Sequence, residues 1–138
     1  MEEVTLKDHV RSHTGVLLKG LAVQVRQASA STDAASVHDL RVAIRRLREC
    51  LRTFKAIYPL EPRKKIRKEL RKLMNSAELV RSADIALELM KAAGMTDADP
   101  QMRKVREQRT AHRSALRGDL ASFASQPYTK AWREALKV

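Results

Sequence analysis

With 138 residues, the chain is long enough for one compact domain, residues 1–138, and too short for two ordinary ones. Lys and Arg number 28 against 16 Asp and Glu, and the net charge of +12 predicts a polyanionic partner. A single cysteine excludes an intrachain disulfide bond, and no apolar stretch approaches the roughly 18–20 residues that a membrane span needs.

The chain begins with Met1-Glu2-Glu3, an acidic start that no apolar run follows. A secretory signal starts with basic residues and continues into an apolar run, so none is predicted here. The lone Cys50 falls within a predicted helix, where a packed thiol is expected rather than a nucleophile. These features predict a cytoplasmic protein.

Two helices are predicted in the first half of the chain. The first runs from about Val4 to Ser29, because its apolar residues recur at steps of three and four. The second has a capping-box pattern, in which Ser36 caps the helix and Asp39 follows three residues later. It is predicted to end near Tyr58, because a proline follows and disfavours helical geometry in the residue before it.

Three more helices are predicted in the second half. Pro62 suits the first turn of the third helix, which continues after a kink beyond Val80 and ends at Gly94. The fourth begins at residues 97–100, and Pro127 opens a short fifth. Long amphipathic helices joined by short turns predict an all-α protein, an antiparallel four-helix bundle with a short additional C-terminal helix. Caps and prolines interrupt the pattern too often for a sustained coiled coil.

One side of the second helix carries a row of basic side chains. Residues at steps of three and four share one side of a helix, and the row consists of His38, Arg41, Arg45, Arg48 and Arg52. At about 1.5 Å per residue the row spans roughly 20 Å, which suits several consecutive phosphates rather than one. Arginine is the residue that can grip phosphate with two parallel hydrogen bonds.

The third helix adds a second row, formed by Arg63, Arg67 and Arg71 at steps of four. Adjacent antiparallel helices would set the two rows side by side. Between residues 38 and 72 there are thirteen Lys and Arg against four Asp and Glu, so the charge is localised. A solvated basic face is the alternative interpretation. The bias towards arginine, the localisation and the shortage of acids favour a ligand-binding surface.

Residues 38–48, His-Asp-Leu-Arg-Val-Ala-Ile-Arg-Arg-Leu-Arg, strongly resemble the signature helix of the CHAD family, the conserved histidine α-helical domain. All eight specified positions of the family pattern His-Asp-x-Arg-Val-Ala-x-Arg-Arg-x-Arg are matched. Further along, Arg81 and Asp84 match a second family region. Glu78 stands where the family usually has Gly, and Ser82 where it usually has Asp. A reshaped turn or a continuous helix is therefore expected at this point.

The resemblance implies a non-catalytic accessory module that binds inorganic polyphosphate and associates with polyphosphate granules. The contacts that it implies are His38, Arg41, Arg45, Arg46, Arg48 and Arg81. Helical phase adds Arg52, Arg67, Arg71, Arg109 and Arg113 to the predicted contacts. Longer relatives have two related halves that face a basic groove. A homodimer with a twofold axis would recreate this arrangement from two single bundles.

Two alternatives remain open on the residues alone. A basic helical row also fits the backbone of a nucleic acid, although no aromatic residue interleaves with the basic run to stack on bases. An enzyme is less favoured, because the chain has no Gly-rich phosphate loop and no nucleophile–base set. His9 and His13 lie four apart but lack an evident third ligand, so neither a metal nor a cofactor is predicted. Asp84 is expected to form a local ion pair with Arg81.

Overall fold

The computed structural model describes residues 5–138, which contain five α-helices and no β-strand. The helices are α1 (Leu6–Ala30), α2 (Ala34–Thr53), α3 (Leu60–Ala92), α4 (Pro100–Ala124) and α5 (Tyr128–Leu136). The prediction of an all-α protein is confirmed. Within this part of the chain no helix is long and apolar enough to cross a membrane. The predicted helix start at Val4 and the acidic start of the chain, residues 1–3, lie outside the described residues.

The start of α2 differs from the prediction. Asp33 is the cap, and its side chain accepts a hydrogen bond of 2.8 Å from the backbone N–H of Ser36. The predicted capping box of Ser36 and Asp39 is therefore wrong, because the carboxylate before Ala34 starts the helix about one turn earlier. His38 consequently lies inside the helix, and the amide dipoles at the helix start already face a carboxylate.

The end of α2 also differs. The α-helix stops at Thr53, and a 3-10 turn over Lys55–Ile57 carries the chain on to Tyr58. The backbone leaves helical geometry at Phe54, with φ −107° and ψ 34°. Tyr58 itself is extended, as expected before a proline.

A buried polar contact ties this turn to α1. The hydroxyls of Thr14 and Tyr58 lie 2.6 Å apart, and Thr14 Oγ1 donates to the carbonyl of Val10. Since Thr14 has one hydroxyl hydrogen, Tyr58 is the donor to Thr14. Burial raises the pKa of the Tyr58 hydroxyl. Cys50 Sγ lies 3.4 Å from the same hydroxyl in the buried interior, which agrees with the prediction of a packed thiol.

The third helix, α3, is one uninterrupted helix of 33 residues. The residues around Glu78 are helical, so the continuous helix that was one expectation is found there and not a reshaped turn. The helix ends as predicted at Gly94, whose φ of +84° is strained for other residues. The N–H of Gly94 bonds to the carbonyl of Lys91 and the N–H of Met95 to that of Met90, which is the Schellman arrangement.

Apolar side chains from all five helices form one core. Contacts join α1 to α2, α2 to α3 and α3 to α4, while α4 also meets α1. α5 packs against α1 and α3, where Trp132 and Leu136 are buried. Because α3 lies between α2 and α4, its two sides form two different helix–helix seams.

Candidate functional site

Side-chain contacts set the register between α2 and α3. Arg41 donates from Nε and Nη2 to Glu78 Oε1, at 2.8 and 2.5 Å. Further along α2, Arg52 lies within electrostatic range of Arg67, which precedes Glu78 on α3. The two helices are therefore antiparallel. His38 lies three residues before Arg41 on α2, and Arg81 lies three residues after Glu78 on α3. In this register His38 and Arg81 are therefore opposite each other.

Where the C-terminal half of α2 meets the N-terminal half of α3, five guanidinium groups gather. We call this group the arginine cluster, and its members are Arg48, Arg52, Arg63, Arg67 and Arg71. Burial lowers the pKa of Arg67 from its ordinary value, and the positive charges of the other four lower it further. The two rows predicted from spacing are thus brought together by the fold.

No acidic side chain in the described part of the chain balances the cluster. Among residues 5–138, no carboxylate lies within 4.0 Å of any of its guanidinium nitrogens. The Nε atoms of Arg48, Arg63 and Arg67 are buried and have no hydrogen-bond partner among these residues. Like charges held close together are unfavourable, and a buried donor without an acceptor adds to the cost. An anion placed at the cluster would relieve both.

Arg63 is the member that the predicted contacts omit. It belongs to the second row by its spacing, yet its exposed fraction is only 7%, which is unusual for an arginine. Charge and helical phase do not reveal such burial. The packing of α3 in the folded protein decides it.

Three further predicted contacts lie on either side of Arg41 along the seam. His38 and Arg45 are exposed, and Arg81 is half-buried. None of the three forms an ion pair within the described residues. Arg45 and Arg48 lie three apart on α2, so Arg45 extends the line of the cluster towards Arg41.

Arg46 lies elsewhere. It borders a depression between α1 and α2, together with His13 and Leu17 of α1 and Glu49 of α2. The structure therefore separates Arg46 from the other contacts that the signature helix implies. Its neighbour in sequence, Arg45, is rotated about 100° away around the helix.

Arg109 and Arg113 also lie away from the cluster, on the opposite side of α3. Their guanidinium nitrogens are 3.7 and 3.6 Å from Oδ1 of Asp84, whose side chain is 6% exposed. The expected local ion pair between Asp84 and Arg81 is wrong, because Asp84 faces α4. Ser76 and Asp119 form a second contact in this seam and show that α3 and α4 are antiparallel.

Residues 5–138 contain no group of three or more His, Cys, Asp or Glu side chains arranged to hold a metal ion. His9 and His13 of α1 are both exposed. A groove of about 1040 Å³ lies between α3, α4 and α5 and is lined by Lys65, Phe123 and Trp132 among others.

Fold and site together define an all-helical domain with an arginine-lined helix seam. The family model of the CHAD domain matches residues 15–138. The chain belongs to the CHAD family, whose domains are in general polyphosphate-binding modules. No curated protein and no solved structure matches the chain at a significant level.

Proposed function

We propose that this chain binds inorganic polyphosphate along the α2–α3 seam and does not catalyse its turnover. The observation that carries this proposal is the arginine cluster, five guanidinium groups without an acidic partner in the described residues. The CHAD match supports polyphosphate as the anion. The contacts that we propose on the seam are His38, Arg41, Arg45, Arg48, Arg52, Arg63, Arg67, Arg71 and Arg81.

A linear chain suits this surface better than a compact anion. The seam from His38 to Arg52 extends over roughly 20 Å along α2, and matching residues of α3 accompany it. Each guanidinium can form two parallel hydrogen bonds with one phosphate group. Binding at several phosphates releases counterions, so the affinity is expected to fall steeply as salt is added.

We further propose that the four long helices form one antiparallel four-helix bundle, with α5 as the additional C-terminal helix. Support comes from the side-chain contacts between α2 and α3 and between α3 and α4. In both pairs, rising residue numbers on one helix face falling residue numbers on the other. The short connection of three residues between α1 and α2 favours the same arrangement for that pair. This topology displays the seam on the outside of the bundle.

Polyphosphate is expected to outcompete duplex DNA for the protein. The measurement is displacement of a fluorescent long-chain polyphosphate by unlabelled polyphosphate or DNA, compared at equal phosphate concentration and fixed salt. We expect polyphosphate to displace the probe at phosphate concentrations at least about tenfold lower than DNA does, because a flexible chain can follow the narrow seam between two helices. Equal or better displacement by DNA would instead favour a protein that binds nucleic-acid backbones.

We also propose that the chain forms a homodimer, as predicted from the sequence, and that it associates with polyphosphate granules. Leu79, Ile85 and Leu89 are exposed on the C-terminal half of α3, and pairing there would bury them. Sedimentation velocity with and without long-chain polyphosphate tests it. We expect a species of twice the chain mass in the presence of the ligand, and a purely monomeric profile in both conditions would contradict the proposal.

A further inference from the structure

Glu78 is the acidic residue that interrupts the basic seam. Its carboxylate accepts both the Nε and the Nη2 hydrogen bonds of Arg41. In the register of α2 and α3, this pair stands between His38 and Arg81 on one side and Arg45 with the arginine cluster on the other. It is also the one ion pair found between α2 and α3 within residues 5–138.

The geometry points to a specific role: Glu78 competes with a bound phosphate chain for Arg41, and so divides the seam into a long and a short segment. The inference rests on the proposed function, since it concerns the same seam and the same ligand. The long segment contains Arg45 and the arginine cluster. The short segment contains His38 and Arg81.

The chemistry of the pair supports competition. A carboxylate occupies the edge of the Arg41 guanidinium that a phosphate oxygen pair would otherwise occupy. The side chains of Arg41 and Glu78 are 22% and 44% exposed, so the pair is accessible to a ligand and to water. A partly solvated ion pair of this kind shifts an equilibrium by about fivefold or less. A phosphate chain already held by the cluster can therefore compete with it.

This arrangement makes the effect of Glu78 depend on the length of the ligand. A short anion such as tripolyphosphate can occupy the long segment without approaching Glu78. A long chain that continues along α2 meets the Glu78 carboxylate and is repelled by it. Glu78 therefore limits how much of the seam one chain engages, which is a specificity determinant for ligand length.

The test compares Glu78→Gln with Glu88→Gln. Glu88 is an exposed acid on the same helix and forms no ion pair within the described residues. Glu88→Gln therefore changes the net charge by the same amount as Glu78→Gln without removing an ion pair. Affinities for long-chain polyphosphate and tripolyphosphate are measured at several salt concentrations. We expect Glu78→Gln to bind the long chain about fivefold more tightly than Glu88→Gln does. The slope of log affinity against log salt should steepen by about 0.7–0.9, the value of one added phosphate contact.

The two variants should bind tripolyphosphate equally well. Because glutamine can still accept a hydrogen bond from Arg41, Glu78→Ala is the second variant, and its gain for long chains should equal or exceed that of Glu78→Gln. Equal long-chain affinities for the Glu78 and Glu88 variants, with intact binding by the wild type, would overturn the role of Glu78 alone. Absence of wild-type binding would instead reject the proposed function.

Discussion

Replacing Arg67 by glutamate is expected to weaken the binding of long-chain polyphosphate about 100-fold without unfolding the protein. Arg67 is central to the arginine cluster, so the change removes one phosphate contact and sets a repulsive carboxylate among the remaining contacts. A charge-assisted hydrogen bond contributes about 1.5–3 kcal/mol, and the repulsion adds to its loss. Titration calorimetry measures the affinity, and circular dichroism checks the helical content.

The same substitution should leave the thermal midpoint unchanged or raise it. Burial lowers the pKa of Arg67, and the positive charges of four neighbouring guanidinium groups lower it further. A carboxylate at this position would turn these repulsions into attractions. We therefore expect a loss of binding with unchanged or greater stability, which would indicate that the charge of this surface serves ligand binding and not folding.

Lys65→Glu is the matched control for this experiment. Lys65 lies two residues away on α3 but borders the groove next to α5, and its variant carries the same change in net charge. Its affinity should fall less than about fivefold. Arg45→Glu, on α2, should weaken binding severely, as Arg67→Glu does. Equal losses for Lys65→Glu and Arg67→Glu would mean that the ligand responds to net charge and not to the seam.

Removing both arginines that face Asp84 is expected to destabilise the fold by about 3 kcal/mol. In the double variant Arg109→Ala and Arg113→Ala, the buried Asp84 carboxylate loses the two cations within 4.0 Å of it. A buried charge left without its partners costs several kcal/mol, because the protein interior replaces water poorly. For a domain of this size, the thermal midpoint should fall by roughly 10 °C.

Two further variants make this interpretation specific. Adding Asp84→Asn to the double variant should recover most of the lost stability, since it removes the uncompensated charge. Arg106→Ala breaks a pair with Asp97, whose side chain is 71% exposed, and should cost less than about 1 kcal/mol. If the double variant retains its stability but loses polyphosphate binding, Arg109 and Arg113 are ligand contacts, as helical phase predicted, and not partners of Asp84.

Local pattern was sufficient for most of the secondary structure. Apolar periodicity identified all five helices, because the side of a helix that faces a core repeats every three to four residues whatever it packs against. Pro62, Gly94 and Pro127 marked helix ends through backbone preferences that do not depend on the rest of the fold. The predicted start of α2 was wrong. Asp33 and Ser36 are both good caps, and the sequence pattern does not decide between them.

For the site, the sequence by itself determined that one side of α2 carries a row of basic residues and that a similar row follows on α3. Only the tertiary structure decided which residues meet across the seam. It joined Arg63 to the cluster, placed Arg46 next to α1, paired Arg109 and Arg113 with Asp84, and set Glu78 against Arg41. The physical reason is that helical spacing determines the direction of a side chain, whereas its neighbours depend on the register between helices. That register follows from the packing of the whole core.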